Sequence, residues 1–193
     1  MSKGIIELAE AYMESHEAVE NEDFVDAFLP VLEGQLIEKS LYPIVRLKIK
    51  GNYLLKVALE KDLYRVLTVG SEHTFQELHW AIQKAYKFDD DHGYSFYMNG
   101  EAGSQSGDRF TDPQTLSGGL DGEKPANAYV IGEAGLYEGM QFLYIFDFGD
   151  DWRFNITVLS IQEGAKEPKN IKVVETKGKA PKQYDFDEED ENW

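Results

Sequence analysis

The sequence of 193 residues contains no cysteine and only four histidines. Without cysteine, disulfides, thiolate zinc sites, iron–sulfur clusters and a cysteine nucleophile are excluded. No stretch approaches the roughly 20 apolar residues that a bilayer-spanning helix needs. Residues 1–4 lead into acidic residues and lack the basic and long apolar regions of a secretion signal. We therefore expect a cytoplasmic protein with no membrane segment.

Catalytic and nucleotide-binding motifs are equally scarce. The chain has no G-x-S-x-G nucleophile elbow, no P-loop and no dinucleotide-binding fingerprint. Asp147, Phe148 and Gly149 match a protein-kinase tripeptide, but the glycine-rich loop, the strand lysine and the catalytic-loop motif of a kinase are missing. The motifs leave open whether the protein is an enzyme, and they favour a non-catalytic role. They predict no cofactor, although a divalent metal stays open.

What the chain has in excess is negative charge. Asp and Glu total 36 against 19 Lys and Arg, so the formal net charge is -17. Such a charge repels phosphates and therefore argues against direct binding to nucleic acid or to an anionic membrane. It favours a basic partner, or simply a well-solvated surface with an acidic tail. A hydrophobic fraction of 42% is enough for one domain with a substantial core.

The residue pattern divides the chain into three parts. Residues 1–41 carry many acids and apolar residues at helical spacing, which predicts an acidic N-terminal helical arm with one apolar face. Residues 42–163 alternate in the manner of strands and form the predicted core domain. Residues 164–193 form a charged C-terminal segment, in which a lysine-rich block is followed by an acidic tail.

The core pattern predicts one helix among several strands. Thr74 and Glu77 form a capping box at the start of the helix, which spans residues 74–86. Residues 99–128, rich in glycine, predict a long loop with short strands at its rims. The turn signal at Gly51 predicts a connection between two strands or a bulge. Strands are predicted at 45–49, 53–59, 64–69, 94–98, 129–131, 142–146 and 152–158.

Asp147, Asp150 and Asp151 lie together at the connection between the last two predicted strands. Carboxylates in such a cluster can coordinate magnesium or calcium, because both cations prefer oxygen ligands. In the alternative interpretation, which is the commoner one for Asp-rich turns, the aspartates accept hydrogen bonds from turn amides. Gly149 then supplies a positive φ angle.

Two histidines are the remaining candidates for chemistry. A histidine beside aspartates can bind a transition metal or act as an acid–base pair. His79 lies toward the edge of the apolar face of the predicted helix, where a hydrogen-bonded structural role is the commoner one. The catalytic candidates are His79, His92, Asp147, Asp150 and Asp151, and the metal candidates are Asp91, His92, Asp147, Asp150 and Asp151.

Five segments, 55–59, 64–69, 74–83, 91–92 and 144–152, form a recognisable set. The T-x-x-x-L-H helix start and the aspartate-rich hairpin are specific only in combination. With them the chain resembles the plasmid pRi open-reading-frame-three-like family, over roughly residues 44–182. Members of that family also occur as passenger proteins of insertion elements and sometimes carry a resolvase-like label.

The resemblance implies an α+β fold similar to the β-grasp and no established activity. Family members often carry a histidine soon after the position of Trp152, where this chain has Arg153 and Phe154. That departure weakens a metal or acid–base site at the hairpin. The resolvase-like label reflects an association with mobile elements, since the nucleophilic serine and arginine cluster of a serine recombinase are missing here.

We therefore expect a β-grasp-like mixed sheet crossed by one helix, with the acidic helical arm outside it. The leading hypothesis is a non-catalytic interaction or regulatory protein that meets a protein partner, or a second copy, through the N-terminal helices. The alternative is a metal-dependent hydrolase or nuclease-like enzyme, which requires the loop at 89–92 and the hairpin tip at 147–151 to converge. Nucleic-acid binding through the lysines of residues 164–184 is the weakest hypothesis.

Overall fold

The computed structural model describes residues 48–102, 108–116 and 123–184. The chain divides into two compact units, Met1–Val45 and Arg46–Trp193. The predicted helical arm, with its predicted role in partner binding, lies outside the described residues. Within the described ranges, no helix is long and apolar enough to cross a membrane.

Eight strands of the second unit form one mixed sheet, and the described residues contain one α-helix. The order across the sheet is β5-β4-β3-β6-β7-β1-β2-β8, and β4–β5 is the parallel pair in it. The α+β class and the mixed sheet are confirmed, whereas the β-grasp-like arrangement stays a prediction. The elements are β1 (Gly51–Glu60), β2 (Leu63–Gly70), α1 (Phe75–Tyr86), β3 (Tyr94–Tyr97), β4 (Arg109–Thr111), β5 (Glu123–Pro125), a 3-10 helix (Ile131–Glu133), β6 (Gln141–Phe146), β7 (Trp152–Glu163) and β8 (Lys172–Lys177).

The core lies on the face of the sheet that meets the helix. Alternate residues of the central strands point into it, as a period of two requires, and they are almost fully buried. Apolar residues of α1 join the same cluster, so one continuous core connects the helix to the sheet. The buried strand residues include Tyr53, Leu55 and Val57 of β1, Tyr144 and Phe146 of β6, and Phe154, Ile156 and Val158 of β7.

Helix α1 begins with the predicted capping box. The Glu77 amide donates to the Thr74 hydroxyl at 3.1 Å, and the Thr74 amide donates to the Glu77 carboxylate at 2.7 Å. The helix ends at Lys87, which adopts a left-handed conformation with φ of 61°. Because both ends are fixed, the side chains of its second and third turns have defined positions over the sheet.

Two predicted strands differ from the structure where it describes them, and residues 45–47 of the first lie outside the described residues. Residues 48–50 lie outside any strand, and Gly51 opens β1 instead of turning the chain. A side chain at Gly51 would place its Cβ 2.1 Å from the Gln162 carbonyl oxygen, so this glycine serves a close approach to β7. Residues 129–131 form only a single bridge, between Val130 and Thr74. The Ile131 amide donates to the His73 carbonyl, so this segment pairs with a turn and not with a strand.

The sheet also extends past residue 163, where the sequence placed the end of the core. Strand β8 lies within the lysine-rich segment and pairs antiparallel with β2. All six residues of β8 are exposed, so its side chains show no alternation of buried and exposed positions. Without a buried face the strand has no periodic pattern in the sequence, which is why the charge pattern concealed it.

Candidate functional site

The connection between β6 and β7 is a turn that Asp147 builds. Its Oδ1 accepts hydrogen bonds from the amides of Gly149 at 2.9 Å and Asp150 at 3.2 Å. The turn interpretation is therefore confirmed for Asp147. The expected positive φ at Gly149 is wrong, because the left-handed residues are Asp147 and Asp151, with φ of 55° and 56°. Aspartate tolerates this conformation better than most residues with a side chain.

The other two aspartates of the tip do not hold that turn through their side chains. Asp151 contacts the Arg153 guanidinium through both carboxylate oxygens, at 2.9 and 2.8 Å. Both side chains are about half exposed, so this pair is a surface ion pair. Asp150 is exposed. Of the three carboxylates at the tip, one holds the turn, one pairs with an arginine and one is exposed to solvent.

The loop at 89–93 meets this hairpin tip. The Asp147 amide donates to the Gly93 carbonyl at 3.0 Å, and Asp147 Oδ2 lies 3.4 Å from His92 Nδ1. A Cβ at Gly93 would lie 2.7 Å from Thr115 Cγ2 and 3.4 Å from the Phe148 ring, so glycine permits this approach. The two segments thus converge, which is the geometry that the metal hypothesis required.

A third segment, the end of the described chain, closes over the same loop. The Tyr184 hydroxyl donates to both carboxylate oxygens of Asp91 at 3.0 Å. The Gln183 amide group donates to the Asp89 carbonyl at 3.2 Å and accepts from the Asp89 amide. We call residues 89–93, 147–151 and Tyr184 the acidic rim. Sequence patterns did not identify Gln183 or Tyr184 as site residues.

His92 is the accessible titratable base of the acidic rim. Its Nδ1 lies 3.0 Å from Asp91 Oδ1 and 3.1 Å from the Tyr184 hydroxyl, while 47% of its side chain is exposed. The hydrogen bond to Asp91 raises the pKa of His92 above its usual value, and the charge of Asp147 adds to this effect. With Nδ1 engaged by carboxylates, Nε2 is the nitrogen that remains for a ligand.

His79 lies behind the rim in the core. Its Nε2 is 2.6 Å from Asp90 Oδ1 and its Nδ1 is 2.7 Å from the Tyr144 hydroxyl, which also accepts from Gln83 Nε2 at 2.7 Å. Because Gln83 can only donate there, the Tyr144 hydroxyl donates to His79 Nδ1. The proton of the imidazole therefore sits on Nε2 and is donated to Asp90. The ring stacks on Tyr94 at 3.7 Å.

Burial decides the protonation of this network. It lowers the pKa of His79, against the opposing effect of the Asp90 carboxylate, and it raises the pKa of Tyr144 well above the usual value. His79 is fully buried with both ring nitrogens occupied, so the hydrogen-bonded position expected for it is confirmed, and its catalytic role stays a prediction. Its partners were missed, although Gln83 lies four residues from His79 and hence on the same helix face.

The metal candidates are only partly assembled. Asp91, His92 and Asp147 lie together, Asp150 shares the rim, and Asp151 pairs with Arg153. Across the described ranges, no group of three or more His, Asp and Glu side chains is arranged to hold a metal ion. The metal site stays a prediction.

Comparison with known proteins places the chain in a family. No curated protein matches it. A similar solved structure is that of MM3350, a protein of unknown function from Methanosarcina mazei Go1, with 20% identity and a TM-score of 0.50 over 69% of this chain and 72% of that chain. At this identity the likeness shows the fold alone. The model of the plasmid pRiA4b ORF-3-like protein matches residues 51–186. The chain therefore belongs to the plasmid pRiA4b ORF-3-like family, as its sequence motifs predicted.

Proposed function

We propose that this protein is a non-catalytic interaction module whose acidic rim binds a basic segment of a protein partner. The observation that carries the proposal is the convergence of three segments, distant in sequence, on one exposed surface. Asp147 joins the hairpin tip to His92 and Gly93, and Tyr184 joins the C-terminal segment to Asp91. The three segments meet only when the domain is folded. The acidic rim is therefore a surface of the folded domain and not a property of one segment.

The engagement of the catalytic candidates supports a non-catalytic role. Both nitrogens of His79 are occupied, Oδ1 of Asp147 holds the turn, and Asp151 is paired with Arg153. A general base needs a free lone pair within hydrogen-bonding reach of the substrate. Among these candidates, His92 and Asp150 keep polar atoms toward solvent, and neither contacts a serine or threonine hydroxyl in the described ranges.

The chemistry of the rim favours a basic segment. Its carboxylates exceed its cationic groups, since Arg153 is already paired with Asp151. Phe148 stands at the tip with 52% of its side chain exposed, so its ring is accessible to a partner. An arginine or lysine can contact the face of this ring while pairing with a neighbouring carboxylate. The net charge of -17 would also accelerate the approach of a basic partner.

The test is capture of binding proteins at physiological salt with matched variants. Phe148→Ala and Asp150→Asn should each lower retention of the partner about tenfold, as expected for residues at the centre of an interface. Tyr137→Ala and Glu163→Gln are the controls, because they change an exposed aromatic residue that precedes β6 and an exposed acid at the end of β7, both far along the chain from the hairpin tip. A protein captured equally by rim and control variants, or no captured protein at all, would contradict the proposal.

One observation favours a second candidate, a metal-dependent hydrolase. The convergence of loop 89–92 with the hairpin tip brings Nδ1 of His92 to 3.0 Å from Asp91 Oδ1 and 3.4 Å from Asp147 Oδ2. Two-metal hydrolysis needs carboxylates that share ions about 3.5–4 Å apart. Calorimetric titration with magnesium, manganese and zinc decides between the candidates. Saturable binding that is abolished by His92→Gln would support the enzyme, and the absence of heat with all three ions would remove it.

The predicted helical arm offers a further contact in this proposal. Self-association through residues 1–41 predicts that the full chain forms dimers that a chain lacking those residues does not form. Light scattering at several protein concentrations measures this difference. The proposal also includes a role in plasmid or mobile-element biology, which only the name of the family supports.

A further inference from the structure

A groove separate from the acidic rim lies between the turn that follows β2 and the loop after β7. Its volume is about 550 Å³, which is within the range of small-molecule sites. It shares no residue with the rim. The groove is lined by Glu72, His73, Glu77, Ala165, Glu167, Pro168 and Lys169.

His73 provides a fixed hydrogen-bond donor in this groove. The residue is only 9% exposed, and its Nδ1 lies 3.0 Å from the Gly70 amide nitrogen. The Gly70 carbonyl already accepts from the His73 amide, whereas the Gly70 amide needs an acceptor. Nδ1 is therefore the acceptor and the proton sits on Nε2. No acceptor for Nε2 lies among the described residues, and the ring lines the groove.

Glu167 stands beside this donor in a fixed position. Its carboxylate accepts from the Ser71 hydroxyl at 2.8 Å and from the Glu72 amide at 3.2 Å. A Cβ on Gly70 would lie 2.8 Å from Glu167 Oε2 and 3.1 Å from His73 Nδ1. Glycine at position 70 thus lets the carboxylate and the imidazole approach one another.

Glu77 supplies a second fixed carboxylate, because the capping box holds its side chain on the Thr74 amide. Glu72 pairs with Lys48 at 3.2 Å, and the same lysine pairs with Glu133 at 3.1 Å. In the part of the chain that the structure describes, neither Glu77 nor Glu167 forms an ion pair. The groove therefore presents two oriented carboxylates, and neither forms an ion pair with Lys169, which also lines the groove.

We propose that this groove binds a small primary ammonium compound that carries a neighbouring oxygen atom. The ammonium group pairs with the Glu77 and Glu167 carboxylates, and the oxygen accepts from His73 Nε2. A metal ion fits less well, because Nε2 carries the proton. Moving that proton to Nδ1 would break the hydrogen bond from Gly70. The site is independent of the interaction proposed for the rim.

The test uses the full chain and ethanolamine, which has both groups, followed by NMR. Titration should shift the Gly70 amide and the His73 ring resonances saturably. Ethylene glycol, which lacks the ammonium group, should leave both unchanged. Glu77→Gln removes a charge but keeps the capping box, since glutamine serves equally at that position. We expect it, and Glu167→Gln, to weaken binding about tenfold, as for a lost charge-assisted hydrogen bond.

Asp150→Asn, on the acidic rim, is the matched control and should bind ethanolamine as the unaltered chain does. An unchanged spectrum of the remaining amides shows that each variant is folded. Equal shifts with ethylene glycol, no saturation at tens of millimolar, or full affinity in both glutamine variants would each overturn the proposal. None of these results would bear on the acidic rim.

Discussion

His79 lies between the Tyr144 hydroxyl and the Asp90 carboxylate with its ring stacked on Tyr94. Replacing it by phenylalanine keeps an aromatic ring but leaves the buried Tyr144 hydroxyl without its acceptor. An unsatisfied buried group costs about 1–3 kcal/mol, so we expect His79→Phe to lower the free energy of unfolding by that amount. Urea denaturation measures it.

The exposed His92 is the control for this substitution. His92→Phe should change the free energy of unfolding by less than about 0.5 kcal/mol, as is usual for a surface position. If the two variants were equally stable, the hydrogen bonds of His79 would make no net contribution to the free energy of unfolding. Another contact would then hold Asp90 in place.

Asp91 is expected to set the pKa of His92. The hydrogen bond between them raises that pKa above 6.5, so the pair stabilises the folded state fully below pH 6.5. This contribution is lost as the pH rises through the folded-state pKa. Asp91→Asn should therefore lower the pKa of His92, which NMR titration of its ring protons measures. Asp62→Asn, at the β1–β2 turn, should leave it unchanged, and an unaltered pKa in Asp91→Asn would show that the pair does not form.

The turn between β6 and β7 depends on the side-chain oxygen of Asp147, which accepts hydrogen bonds from the turn amides. Asp147→Ala removes the oxygen that accepts from Gly149 and Asp150 and places alanine at a φ of 55°. We expect a loss of about 1–3 kcal/mol from the unpaired amides and the strained backbone. Asp147→Asn keeps the oxygen and tolerates the conformation, so its loss should be much smaller. Equal unfolding midpoints for the two variants would contradict this account.

Elements with a local signal were predictable from the sequence, and elements defined by distant pairing were not. The capping box of Thr74 and Glu77 lies within four residues, and it predicted α1 almost to its ends. Strand β8 has no buried face, so only its pairing with β2 reveals it. The glycine at position 51 permits a close approach to β7, a need that no local pattern expresses.

At the scale of the whole molecule, the assembly of the acidic rim could not be predicted from the sequence for the same reason. Its separate residues were candidates from the sequence, because aspartates and a histidine have recognisable chemistry. Their assembly depends on the sheet order, which brings β3 beside β6 and so carries the loop before β3 to the hairpin tip. The contact with Tyr184 further requires the chain after β8 to cross to that end of the sheet. Neither step has a signature in a single segment.

The net charge of -17 makes electrostatic repulsion a property of the whole chain. Added salt screens this repulsion, and it also weakens surface ion pairs such as Lys177–Asp62 and Arg153–Asp151. Exposed pairs contribute only about 0–1 kcal/mol each, whereas the excess acids of the whole chain repel one another collectively. Repulsion should therefore dominate, and the melting temperature should rise by a few degrees between about 10 and 150 mM NaCl, where the Debye length falls from about 30 to 8 Å.

Calorimetry or circular dichroism measures this shift. Potassium chloride should give the same rise as sodium chloride, because screening depends on ionic strength and not on the identity of the cation. A rise with one salt alone would indicate a bound ion instead. A melting temperature that falls with both salts would mean that ion pairs outweigh the repulsion. The acidic surface would then be compensated within the fold, and its attraction for a basic partner would be correspondingly weak.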